Sequence, residues 1–226
     1  VTEYIEGQNL MQWMIDNPAP SLEQVRNIIE QVAKGIQAFH RREMIHQDLR
    51  PQNIMIDTSG TVKIIDFGST KVAGISDIHA NNEGIVGTLQ YSSPEYFVNE
   101  AITSRVDIFS LGVIAYQMLS GKFPYGQNVS RAHTTLEQRN LRYLSLNEHG
   151  INVPRWIEES LRKAVSINSL KRYYEISEFI YDLRTPNKNF ISKDQQPLIE
   201  RNPLAFWRGL SLVLFLIIIF QSTLIQ

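Results

Sequence analysis

Apolar residues recur at three- and four-residue spacing from Leu22 through Val25, Ile28, Ile29, Val32 and Ile36 to Phe39. That period puts them on one face of a helix. Ser21 followed three positions later by Gln24 is a capping-box start signal, and His40-Arg41-Arg42 marks the end. Residues 53–57 and 61–65 are two short β-rich runs around Thr58-Ser59-Gly60, which predicts a hairpin. Residues 106–120 are apolar on most sides, so they predict a buried helix, with Gly121 as its stop signal. Residues 154–165 and 172–183 predict two further amphipathic helices. Residues 66–95 show little periodicity and carry several Gly, Ser and Asn, the pattern of a long surface loop, and such loops in compact domains are usually functional or disordered.

The C-terminal pattern differs. From Gly209 to Phe220 the chain has neither charge nor polar face. Counting on to Ile225 gives helix of roughly 25 Å, a little short of a hydrocarbon core of about 30 Å. Trp207 and Arg208 stand where an interfacial aromatic and a cytoplasmic cation belong. The expectation is a transmembrane helix over 204–226, reached by a polar linker over 185–203; a buried terminal helix is the alternative. Lys188, Lys193, Arg201 and Arg208 all precede the run and no Lys or Arg follows it. The positive-inside rule therefore expects a single-pass membrane protein whose preceding domain is cytoplasmic.

With 226 residues the chain can bury a substantial core. A formal net charge of −1 and the lack of a basic run argue against a nucleic-acid partner. Zero cysteines exclude disulfides, thiolate metal sites and a cysteine nucleophile. Val1-Thr2-Glu3-Tyr4 is not a signal peptide, and the absence of a starting Met leads to the expectation of a fragment.

Two stretches carry the chemistry: His46-Gln47-Asp48-Leu49-Arg50-Pro51-Gln52-Asn53, and Asp66-Phe67-Gly68. An acid, an amide five positions later and a second acid opening a glycine-containing loop suit phosphoryl transfer. Asp48 can take a proton from, or orient, an attacking hydroxyl. Arg50 can offset charge on the transferring group. Asn53 and Asp66 offer the oxygen ligands that Mg²⁺ prefers. The hairpin between them returns the chain near its start, which should gather all three. His46, beside an apolar strand, is read as a packed structural residue.

These stretches resemble the catalytic loop H-R-D-x-x-x-x-N and metal loop D-F-G of protein kinases. Gly87-Thr88-Leu89-Gln90-Tyr91-Ser92-Ser93-Pro94-Glu95 is similar to the family's G-T-x-x-Y-x-[AS]-P-E, and Asp107-Ile108-Phe109-Ser110-Leu111-Gly112 to its D-x-W-S-x-G. The resemblance implies that Thr88 contacts Asp48 and favours Ser/Thr acceptors. It implies that Glu95 forms a buried ion pair, with Arg172, opening the last helix, as its partner. It implies that Asp107 holds the catalytic loop through the backbone; alone, Asp107 reads as a helix N-terminal acid. Gln47 departs from the family's Arg and cannot pair with a phosphate on the activation loop. Val1-Thr2-Glu3-Tyr4-Ile5-Glu6-Gly7 resembles the hinge between kinase lobes, or a plain edge strand. By that likeness the Glu3 carbonyl and Ile5 amide meet adenine, Thr2 is the gatekeeper, Asn9 faces the ribose and Met55 floors the base.

The resemblance covers residues 1–184, the hinge and larger lobe; the glycine-rich loop, phosphate-binding Lys and partner Glu of the smaller lobe are not in it. The fold class expected is α+β: a mostly helical kinase C-terminal lobe with a short β-hairpin, then the transmembrane helix. The whole resembles bacterial membrane-anchored Ser/Thr kinases. The likeness implies ATP and Mg²⁺ as cofactors, protein substrates with Ser/Thr acceptors and, in some relatives, an upstream phosphatase domain. The fragment alone is expected to be inactive, and a catalytically silent kinase-like scaffold is the alternative function.

Overall fold

The computed structural model of the chain describes residues 4–68, 70–72, 89–187, 190 and 203–224. It falls into two compact units, residues 1–186 and 187–226.

In the first unit a short strand, β1 (Gly7–Asn9), leads directly into α1 (Leu10–Asp16), which Asn9 caps by accepting the Gln12 amide at 2.9 Å. The long helix expected from the apolar period is α2 (Leu22–His40). Its capping box is reciprocal: the Gln24 amide donates to Ser21 Oγ at 3.2 Å, and the Ser21 amide donates to Gln24 Oε1 at 2.8 Å. The expected hairpin forms from β3 (Ile54–Asp57) and β4 (Val62–Ile64), with Ile54 opposite Ile64 and Ile56 opposite Val62. β1 joins the other edge of β3 antiparallel, which pairs Asn9 with Met55. Gly7 is needed there, because a Cβ would lie 2.1 Å from the Ile56 carbonyl oxygen.

A second sheet was not expected. β2 (Met44–Ile45) pairs antiparallel with β5 (Lys71–Val72), inside the stretch read as loop. Two-residue strands leave no alternation for a sequence pattern to reveal.

Helices follow as α3 (Glu95–Val98), α4 (Arg105–Ser120), α5 (Thr135–Arg139), α6 (Arg155–Ala164) and α7 (Ile176–Arg184). α4 is the axis of the lobe, with twelve of its residues buried from Val106 to Met118, as its unbroken apolar character implies. Gly121 ends it in the left-handed region at φ 66°, the usual glycine stop. α2, α6 and α7 pack around it. At Gly112 the approach of α6 is so close that a Cβ would stand 2.9 Å from both Ala164 Cβ and Val165 Cγ1. α7 begins four residues later than its periodicity implied, because Tyr173 turns inward to a buried hydrogen bond with Asp182 Oδ2 at 2.9 Å. α7 is tied to α2 by Arg184, which donates to Glu23, Asn27 and Glu30.

The second unit contains α8 (Pro203–Leu224), a 22-residue helix where one was expected. Among the described residues no helix is long and apolar enough to cross a membrane. The apolar run Gly209–Phe220 spans about 18 Å as helix, and the polar residues Gln221-Ser222-Thr223 follow it. Most of the linker stretch lies outside the described residues.

Candidate active site

The catalytic-loop stretch runs from β2 into a 3-10 turn, Pro51–Asn53, and then into β3. Asn53 is buried, and its Nδ2 donates twice, to the Asp48 carbonyl oxygen and to Asp48 Oδ2, each at 2.9 Å. With the amide nitrogen committed to these two acceptors, the amide carbonyl is the group directed elsewhere. Arg50 Nε lies 3.4 Å from the same Asp48 Oδ2. Asp48 and Arg50 keep about a quarter of their side-chain surface exposed, so both reach solvent while held.

Asp107, fully buried in the first turn of α4, fixes this loop from below. Its Oδ2 accepts from the His46 amide and its Oδ1 from the Gln47 amide, each at 2.9 Å. His40 Nε2, at the end of α2, makes a third contact with Oδ2 at 2.9 Å. Hydrogen bonds to an ionised acceptor are about twice as strong as neutral ones. They hold Gln47 at φ 69°, a left-handed conformation uncommon outside glycine, one residue before Asp48.

Asp66 is the other strained residue of the site, at φ 62°. The Ile65 amide donates to the Asn53 carbonyl at 2.9 Å, which seats Asp66 beside the loop. Its Oδ1 accepts from the Gly68 amide at 3.2 Å. Phe67 folds onto Phe39 and His46, with ring centroids 5.2 and 6.1 Å apart. His46 is fully buried, and burial pushes its pKa below the usual histidine value, with Asp107, Asp48 and Asp66 acting in the opposite sense. Its ring nitrogens reach no partner of good hydrogen-bond geometry, so the neutral ring packs as an aromatic core residue.

Asp48, Arg50 and Asn53 are thus brought together, and Asp66 adjoins them through Asn53. Met55 sits opposite Asn9 on the face of β3 away from the buried Ile54 and Ile56. The Asn9 carboxamide oxygen is occupied as the α1 cap, and Ile5 is half-buried just ahead of β1. Glu3, Thr2 and Thr88 lie outside the described residues, so their expected roles have no geometry here. Among the described residues no group of three or more acidic or histidine side chains forms a metal cage.

The ion pair between Glu95 and Arg172 forms in full. Arg172 Nη1 and Nη2 donate to Glu95 Oε1 and Oε2, each at 2.8 Å, with both side chains buried. The same guanidinium donates to the carbonyls of Ser166, Arg105 and Ile167, and lies 4.8 Å from the Phe109 ring centroid. Arg172 does not open a helix, as the periodicity implied; it stands extended before α7, with φ −73° and ψ 176°. The His40–Asp107 contact and the mutual packing of Phe39, Phe67 and His46 were not foreseen, although His46 was read as a packed residue. Their partners lie up to 67 residues away, and no local pattern marks them.

Residues 1–195 match the family model for the protein kinase domain. The chain is 28% identical over 212 residues to serine/threonine-protein kinase PrkC of Bacillus subtilis, covering 90% of this chain and 32% of that protein. It is 30% identical over 202 residues to a probable serine/threonine-protein kinase of Clostridium perfringens, covering 87% and 29%. It is 28% identical over 187 residues to probable serine/threonine-protein kinase PknB of Lactococcus lactis, covering 82% and 29%. The chain therefore spans about a third of the length of these relatives. A loop acid held by Asn53, a loop backbone held by Asp107, a second acid joined to it by a hairpin, and a buried Glu95–Arg172 pair coincide with that match, and the chain belongs to the protein kinase domain family.

Proposed function

We propose that the protein transfers a phosphoryl group from ATP to serine or threonine hydroxyls of protein substrates. The observation that carries this reading is the double donation from Asn53 to Asp48. In this reading it fixes the partly exposed Asp48 carboxylate and leaves the Asn53 carbonyl for a cation. In this reading Asp48 positions the acceptor hydroxyl and takes its proton, and Arg50 offsets negative charge beside it. Asn53 and Asp66 hold Mg²⁺ as hard oxygen donors. Two oxygen-bearing side chains do not make a closed cage, which suits a metal that arrives with a nucleotide. Bound ATP and Mg²⁺ would supply the phosphoryl group and its charge neutralisation. Glu3, Ile5, Asn9 and Met55 would line the adenosine side, and Thr88 would meet the acceptor side.

Gln47 gives no cation for a phosphorylated loop, so activity is expected without loop phosphorylation. The test is transfer from labelled ATP to a protein acceptor by the full-length protein and its Asp48→Asn variant. Loss of transfer by the variant, with nucleotide binding retained, supports the assignment. Equal transfer overturns it, and absence of transfer by both forms identifies a silent kinase-like scaffold.

Attachment to a membrane through α8, with the kinase lobe on the cytoplasmic side, is part of the same proposal. Its support is the uncharged run after Trp207 and Arg208, and the exposed Leu210, Val213, Leu214 and Ile217. Full-length protein is expected in the membrane fraction, and a form ending at Pro203 in the soluble fraction. Both forms in the soluble fraction would refute the attachment.

A further inference from the structure

A cleft of about 600 Å³ opens between the end of α2, the start of α4 and the segment leading into α7, and no residue of the 46–53 loop lines it. Arg41 and Arg105 line it, with the hydroxyl residues Thr103 and Ser104 between them. Arg41 forms no ion pair or side-chain hydrogen bond among the described residues. The Arg105 guanidinium stacks there 5.4 Å from the Tyr174 ring centroid, and the Arg105 backbone amide donates to Thr103 Oγ1 at 3.4 Å. Among the described residues the cleft's one acid, Glu175, accepts from Ser177 Oγ at 3.2 Å. The Ser104 side chain makes no capping hydrogen bond to α4. Two arginines and two hydroxyl residues lining one cavity offer a donor set for a compact dianion, because guanidinium pairs bidentately with phosphate oxygens.

The cleft also touches the machinery of the loop. His40 lines it and bonds through Nε2 to Asp107 Oδ2, the oxygen that accepts the His46 amide. A ligand in the cleft therefore contacts a side chain one hydrogen bond removed from the residue that holds Gln47 and, next to it, Asp48. We propose that this cleft binds a phosphoryl group, and that its occupancy tightens the His40–Asp107–loop chain. Coupling of this kind needs only that the ligand prefer the state in which Asp107 holds the loop.

The experiment measures binding and loop order, and neither readout depends on phosphotransfer. Inorganic phosphate, a phosphoserine peptide and the same peptide with plain serine are titrated calorimetrically into the full chain and into Arg41→Gln and Arg105→Gln. Lys171→Gln, a cation elsewhere on the lobe, is the control. Amide hydrogen exchange at His46 and Gln47 is followed with and without each probe. The phosphorylated probes are expected to bind saturably, each Arg variant to weaken binding about tenfold or more, and the control to match the parent. Exchange at His46 and Gln47 is expected to slow on binding. Binding of inorganic phosphate alone would identify a small-anion site; a requirement for the peptide would identify a phosphorylated polypeptide as the source. Absence of saturable binding, or binding unchanged in both Arg variants, overturns the site. Binding without slower exchange at His46 and Gln47 overturns the coupling. Both arginines line the cleft rather than the core, and Arg105→Lys, which keeps the charge, provides a folded comparison.

Discussion

Removing either member of the Glu95–Arg172 pair should destabilise the lobe far more than loss of a surface ion pair. The guanidinium makes five hydrogen bonds: two to Glu95 and three to the carbonyls of Ser166, Arg105 and Ile167. The side chains are 0% and 2% exposed, so neither charge can be rescued by water. Breaking one side of such a pair costs about 3–5 kcal/mol, mostly because the remaining charge is left buried. Glu95→Gln keeps one acceptor and the three carbonyl contacts, so it belongs near 3 kcal/mol on that scale. Arg172→Met strands a carboxylate and three carbonyls, so it belongs near or above 5 kcal/mol, as each buried acceptor without a donor adds about 1–3 kcal/mol. The double variant loses both charges and should be more stable than the sum of the singles implies, by about 1–3 kcal/mol. Against a total stability of about 5–15 kcal/mol, either single change takes a large share. The assay is equilibrium urea unfolding followed by Trp13 and Trp156 fluorescence, with near-ultraviolet circular dichroism as a second probe. Losses under about 1 kcal/mol for both single variants would place the pair in the range of exposed ion pairs and refute the reasoning.

Gly112→Ala should cost about 1–3 kcal/mol, because its methyl group would sit 2.9 Å from Ala164 Cβ and Val165 Cγ1 at a helix crossing; an unchanged urea midpoint would show that α6 yields. His46 is held neutral by burial, so the unfolded chain takes up its proton more readily than the folded one. Its contribution to stability should be complete above the ordinary histidine value near 6.5 and should fall as pH drops below it. Urea midpoints at pH 7.5 and pH 5.5 should therefore differ more for the parent than for His46→Phe. Equal shifts in the two proteins would rule out His46 as the source.

Much of the site is written in short-range order. Asp48 and Asn53 stand five positions apart because one turn of chain suffices for the amide to reach back to the acid. The 53–65 hairpin could be read from two β-rich runs and a Ser-Gly turn, and it alone brings Asp66 to Asn53. The ends of α2 and α4 were equally legible, since capping boxes and glycine stops are local chemistry. The resemblance to kinases, carried by Asp48, Asn53, Asp66, Glu95 and Asp107, extended this to pairs that no periodicity could join, including Glu95 with Arg172.

The tertiary structure decided what depends on distant partners. Pattern alone made Asp107 a helix N-terminal acid; only the packing of α4 beneath the loop places its two oxygens against the amides of His46 and Gln47. His40 read only as part of a helix end, because its further meaning comes from Asp107, 67 residues away. The β2–β5 pair stayed hidden because two-residue strands have no period. Arg172 was identified correctly and placed wrongly, because its extended backbone is imposed by the buried contacts of its own guanidinium and of Tyr173. Periodicity records which face of an element is buried, and cannot say which charged group from elsewhere in the chain that face will meet.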